Sequence, residues 1–63
     1  MSDQGLLERV RGEFLEMPGL SLTPEQAARL WGVDMQACGQ VIAALLASAF
    51  LRRTSQGRLV RAN

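Results

Sequence analysis

The segment TPEQAARLW, which begins at Thr23, carries an unusually complete set of signals for the start of a helix. Thr23 is a favoured N-cap residue. Pro24 suits the first helical position, because an N–H there would have no intrahelical acceptor and its absence in proline costs nothing. Gln26 stands where a capping box has Glu or Gln. These signals predict a helix over 24–31 with the apolar residues Ala27, Ala28, Leu30 and Trp31 on its inner side, and we expect the Trp31 indole N–H to reach a carbonyl.

A glycine and an aspartate follow this helix directly. Gly32 can adopt the left-handed conformation that ends many helices, and Asp34 can cap a new one, which we predict over 35–49. Gly39 lies at the edge of its inner face, where it would allow close approach of the 24–31 helix. The inner face at 100° per residue holds Met35, Cys38, Ile42, Leu45, Leu46 and Ala49. The outer face is uncharged and holds Gln36, Ala37, Gln40, Ala43, Ala44, Ala47 and Ser48.

A further helix is predicted over 4–17, where Pro18 stops it. Its apolar residues at helical spacing are Leu6, Leu7, Val10, Phe14 and Met17. The alternating residues 20–22 predict a short strand. The stretch FLRRTSQGRLVR, residues 50–61, predicts a hairpin in which Gly57 takes the left-handed position of the loop. The short strand should pair with this hairpin, because its backbone groups need partners.

The charges are distributed unevenly along the chain. Up to residue 34 there are three arginines against six acidic residues, a net −3, whereas from residue 35 there are four arginines and no acid, a net +4. This asymmetry suits contact with a polyanion, and it equally suits a protein whose two halves attract each other.

Composition excludes several classes of function. With 63 residues, 48% of them hydrophobic, the chain is expected to form one small folded domain over 1–63 of marginal stability, which a homodimer would improve. With no histidine, one cysteine and no glycine-rich phosphate loop, we expect no enzyme activity, no metal and no cofactor. Cys38 should be a buried, inert thiol. The apolar run 41–51 is too short to span a membrane, and the start lacks signal-peptide features, so a cytoplasmic location is expected.

The segment LTPEQAARLWGVDMQACGQVIAALL resembles the helix-turn-helix of the winged helix-turn-helix domains of bacterial transcription regulators. Ala28 stands at the small-residue position where the two helices cross, and Gly32 stands at the turn. Cys38 and Val41 or Ile42 occupy packed positions of the second helix. The basic stretch that follows resembles the wing. The resemblance implies a mainly α fold with a small β-hairpin: three helices, a short strand and a two-stranded wing.

The resemblance also implies a function, that of a small DNA-binding module and transcription regulator. The helix over 35–49 would enter the major groove, where Gln36 and Gln40 would read bases. The amide end of the helix that starts near Thr23 could contact a phosphate. The wing, 50–61, would contact phosphates through Arg52, Arg53, Arg58 and Arg61.

A second interpretation stays open, because the outer face of the 35–49 helix is mostly alanine and carries no cation. The chain could be a winged-helix protein–protein interaction module that docks another protein through this face without binding DNA. For the expected homodimer, the first helix is the candidate interface, through Leu6, Leu7 and Phe14.

Overall fold

The computed structural model describes the backbone of residues 3–62 and the side chains of residues 5–62. The predicted fold class is confirmed: the chain is mainly helical with one small antiparallel hairpin, in a winged-helix-like layout. The elements in chain order are α1 (Asp3–Glu16), α2 (Pro24–Trp31), α3 (Met35–Ala47), β1 (Leu51–Arg53) and β2 (Leu59–Arg61).

The start of α2 is the predicted capping box. The N–H of Gln26 donates to Thr23 Oγ1 at 3.2 Å, and the N–H of Thr23 donates to Gln26 Oε1 at 3.0 Å. Gly32 ends the helix with φ of 69°, in the left-handed region that glycine tolerates. Local signals alone were therefore sufficient to place both ends of α2.

Helix α3 starts as predicted but ends earlier. The N–H of Ala37 donates to the capping carboxylate of Asp34 at 2.7 Å. At the other end, the predicted boundary at residue 49 was wrong, because the helix stops at Ala47 and Ala49 has φ of 62°. The N–H of Ala49 donates to the Leu46 carbonyl at 3.1 Å, and that of Phe50 donates to the Leu45 carbonyl at 3.0 Å. These two bonds form a Schellman motif in which alanine occupies the position that usually holds glycine.

The chain changes direction by 109° between α2 and α3, across a turn of three residues. Angles of about 90–120° with a short turn are typical of helix-turn-helix pairs. No described helix is by itself long and apolar enough to cross a membrane; α2 and α3 together reach the required length and composition, but with this bend between them.

The core forms where α1, α2, α3 and the hairpin meet. Its buried residues are Val10, Phe14, Leu22, Ala27, Ala28, Trp31, Cys38, Val41, Ile42, Leu45, Leu51 and Leu59. Four predicted inward positions were wrong: Met17, Leu30 and Met35 are 49%, 49% and 51% exposed, and Ala49 is also exposed. Val41, which was not assigned to the inner face, is buried together with Ile42. The buried face of α3 is therefore wider than predicted, and it does not include the predicted end residues Met35 and Ala49.

The side chain of Trp31 joins α2 to α1. Its indole N–H donates to Glu13 Oε1 at 3.1 Å, rather than to a carbonyl as predicted. The other carboxylate oxygen, Oε2, lies 3.7 Å from Arg9 Nε, one turn earlier in α1. A half-buried carboxylate thus satisfies the polar end of a buried indole.

The hairpin has the predicted loop. The Gly57 N–H donates to the Thr54 carbonyl at 2.9 Å, and Gly57 has φ of 78°. The predicted strand over 20–22 is reduced to one bridging residue, Leu22, which pairs antiparallel with Leu59 as expected. The two leucines exchange both backbone hydrogen bonds, at 3.2 and 2.7 Å.

Candidate nucleic-acid interface

The outer face of α3 is uncovered. Gln36 and Gln40 are both exposed and stand one turn apart, and Ala43 and Ala47 continue the same face as exposed methyl groups. Gly39 is exposed as well, and a Cβ there would meet nothing within 4 Å, so the predicted close approach to α2 was wrong. The face therefore offers two amide side chains at one end and small apolar groups at the other.

The register of the hairpin places two of its arginines on the side of the core. Residues opposite each other in an antiparallel pair share a face, and successive residues alternate between faces. Arg61 lies opposite the buried Leu51, and Arg53 lies opposite the buried Leu59. Arg53 is exposed, whereas Arg61 is half-buried.

The other two arginines occupy the outer face of the hairpin. Arg52 lies opposite Val60, and the Thr54 N–H donates to the Arg58 carbonyl at 2.8 Å, which continues the pairing by one residue. Arg52 and Arg58 are therefore diagonal neighbours across the two strands. The Thr54 hydroxyl oxygen accepts from the N–H of Arg58 at 3.1 Å and holds this end of the hairpin closed.

Two guanidinium groups lie against one aromatic ring at the base of the hairpin. The Cζ atoms of Arg61 and Arg11 are 5.2 and 5.3 Å from the centroid of the Phe50 ring. Sequence reasoning missed Arg11 and Phe50 as members of this group. In the sequence, Arg11 occupies an ordinary solvent-facing position of α1. No local signal connects it with the ring of Phe50, which lies 39 positions further along the chain.

The start of α2 offers few free backbone N–H groups for the phosphate contact that is predicted near Thr23. The N–H groups of Thr23 and Gln26 are both used in the capping box, and Pro24 has none. Glu25 adds a negative charge in the same turn. These features disfavour a phosphate at Thr23, so the interface proposed below does not include this predicted contact.

Among the side chains of residues 5–62, no hairpin arginine lies within 4.0 Å of a carboxylate. Among the side chains of residues 5–62, the ion pair within 4.0 Å is that between Arg9 and Glu13, both in α1. Within these described side chains, the attraction between the acidic and basic halves that the charge asymmetry allowed is not realised as an ion pair. A net positive charge on the hairpin stays available to an external anion.

Cys38 is fully buried in α3, as predicted. Its Sγ lies 3.6 Å from the carbonyl oxygen of Pro24 and donates a weak hydrogen bond to it. Burial, and to a smaller extent the negative charge of Glu25, raise the pKa of the thiol. The thiol is therefore held in its protonated form, which is the less reactive one.

Comparisons with protein-family models, with curated proteins and with solved structures returned no match to this chain.

Proposed function

We propose that this chain is a small non-catalytic module that binds duplex DNA, with α3 in the major groove and the hairpin against the phosphate backbone. Gln36 and Gln40 would read base edges, since glutamine can pair bidentately with adenine. The methyl groups of Ala43 and Ala47 suit contact with the methyl group of thymine. Arg52, Arg53, Arg58 and Arg61 would contact phosphates.

One observation carries this proposal: an uncovered helix face is followed directly by a hairpin whose arginines have no carboxylate partner within 4.0 Å among residues 5–62. A helix pair that bends by 109° gives α3 the exposure that a groove-reading helix needs. Phosphate contacts supply most of the affinity of such proteins, so the cations matter more to binding than the glutamines.

The salt dependence of binding to a duplex tests the proposal. Four phosphate contacts per chain give a slope of about −3.6 for the logarithm of the association constant against the logarithm of the salt concentration. Removing the charges of Arg52 and Arg53 together should reduce the slope by about 1.8 per bound chain and weaken binding to every sequence alike. Arg9→Gln is the matched control, because its charge is already paired with Glu13.

Sequence preference is a separate readout that reports on α3. Replacing Gln36 or Gln40 by alanine should leave the salt slope unchanged and alter the preference at one base pair by about 1–3 kcal/mol. If no duplex binding is detected at about 50 mM salt with tens of micromolar protein, the DNA proposal is refuted.

A specific observation favours a second candidate, docking of another protein through the outer face of α3. That face is exposed, uncharged and built of small side chains. On this alternative, Ala44→Glu or Ala47→Glu abolishes capture of the partner, whereas removing hairpin charges has little effect. If the protein binds DNA through α3, Ala44→Glu and Ala47→Glu should weaken duplex binding as well. The response to the hairpin variants therefore separates the two functions.

We further propose that the module acts as a homodimer in transcription regulation in a bacterial cytoplasm, as its resemblance to such regulators implies. The predicted dimer contact through Phe14 was wrong, because that side chain is fully buried in the core of its own chain. Leu6 and Leu7 are half-buried and also pack against this core. The exposed apolar residues of α1 and the following turn are instead Leu15 and Met17.

A further inference from the structure

Arg11 and Arg61 form a cluster with Phe50 that the proposed interface does not yet include. Their guanidinium carbons lie 5.3 and 5.2 Å from one ring centroid, so the two like charges are at most 10.5 Å apart. Neither has a carboxylate within 4.0 Å among the side chains of residues 5–62. The Nε atom of Arg61 is buried and has no hydrogen-bond acceptor among residues 5–62.

The ring explains how two cations come to share this place. The face of an aromatic ring attracts a cation within about 6 Å of its centroid. The backbone of Phe50 is held because its N–H closes the Schellman motif of α3, and its side chain packs against the core. Stacking on a fixed ring restricts two long side chains before any ligand arrives, which lowers the entropy lost on binding.

We propose that Arg11 and Arg61, held on Phe50, form a clamp for one phosphate group at the base of the hairpin. Guanidinium groups present forked donors that match phosphate oxygens, and with Nε of Arg61 buried, its terminal Nη groups are the donors left for a ligand. Arg52, Arg53 and Arg58 lie on the same hairpin, so the clamp adds a contact from α1 to an existing row of cations. The identification of the phosphate as part of a nucleic-acid backbone rests on the proposed function.

The first test measures the salt slope of binding to a mixed-sequence duplex of 12 base pairs. If the phosphate is held only when both arginines are present, Arg11→Gln, Arg61→Gln and the double variant should each lower the slope by about 0.9 per bound chain. For each bound chain, a fourfold rise in salt then weakens the parent about 3.5-fold more than each variant. Arg9→Gln, two positions away in α1 with the same change in charge, should leave the slope unaltered. Equal slopes for the parent, Arg11→Gln and Arg61→Gln overturn the clamp.

The second test uses inorganic phosphate and does not depend on DNA. Titration at constant ionic strength should shift the side-chain resonances of Arg11 and Arg61 saturably, and Arg29, which is exposed on α2, should not shift. Acetate serves as the comparison. Shifts as large with acetate as with phosphate overturn the assignment of a phosphate in favour of a carboxylate, and no saturable shift with either overturns the clamp altogether.

The two tests fail in distinguishable ways. If phosphate shifts the side-chain resonances of both arginines saturably but no duplex binds, the clamp stands as a site for free phosphate and the proposed function fails. If the duplex binds with a slope that Arg11→Gln leaves intact, the proposed function stands and the clamp fails. Arg11 is exposed, so its variant is expected to fold even if loss of Arg61 destabilises the hairpin, and circular dichroism checks this.

Discussion

Replacing Ala49 by glycine and replacing Gly39 by alanine should each stabilise the protein. Ala49 has φ of 62°, a conformation that costs an alanine about 1–2 kcal/mol and a glycine almost nothing. Gly39 lies inside α3, is exposed, and has room for a Cβ. The chain therefore has alanine where its backbone favours glycine, and glycine where it favours alanine.

The expected gains follow from these conformations. Ala49→Gly relieves the strain but adds about 0.4–1 kcal/mol of entropy to the unfolded chain, so the net gain is about 0.5–1 kcal/mol. Gly39→Ala should gain about 1 kcal/mol from helix propensity. The two sites are ten residues apart, roughly 15 Å along a helix, so the double variant should gain about 1.5–2 kcal/mol.

Urea unfolding followed by the fluorescence of Trp31 measures these changes. The midpoint should rise with an unchanged m value, because the buried area stays the same. Ala43→Gly is the matched control, since Ala43 is exposed on α3 and has negative φ, and it should lose about 1 kcal/mol. An Ala49→Gly variant that is less stable than the parent would refute the left-handed conformation of Ala49, and a destabilising Gly39→Ala would show that Gly39 is covered.

Two further predictions concern Cys38 and the oligomeric state. The chain has no lysine, tyrosine or histidine, so Cys38 is the one side chain whose ordinary pKa lies between about 5 and 12. Because burial raises its pKa in the folded state, the unfolded chain loses this proton first; stability is complete below about pH 8.5 and falls above it by at most about 1.4 kcal/mol per pH unit. Cys38→Ala should be flat across this range, and a parent that is equally flat would contradict the raised pKa. For the dimer, light scattering at about 100 µM protein should give the mass of two chains, and a mass of one chain counts against it.

The parts of this fold that sequence reasoning placed correctly are those set by neighbouring residues. The capping box at Thr23, the cap at Asp34 and the hairpin loop at Gly57 each depend on contacts within four positions. Periodicity also identified buried positions of the helices, such as Phe14 in α1 and Cys38 in α3.

The errors arose where tertiary contacts or strain override a local pattern. Met35 continues the apolar spacing of α3 but lies in its first turn, where it is half exposed. Alanine is a strong helix former, so nothing in the sequence marks Ala49 as left-handed. The cluster around Phe50 was beyond local reasoning, because Arg11 reaches it from another element and Arg61 reaches it across the hairpin.

The bridge between Leu22 and Leu59 has a consequence for the order of folding. It joins positions 37 residues apart, and an isolated two-stranded hairpin is marginal at best in water. Closing so long a loop costs entropy that is recovered only when the core between these positions has packed. The basic hairpin should therefore form late and be lost together with the rest of the domain. A nascent or partly unfolded chain would carry the same arginines without their arrangement, so its attraction to polyanions would be diffuse rather than geometrically specific.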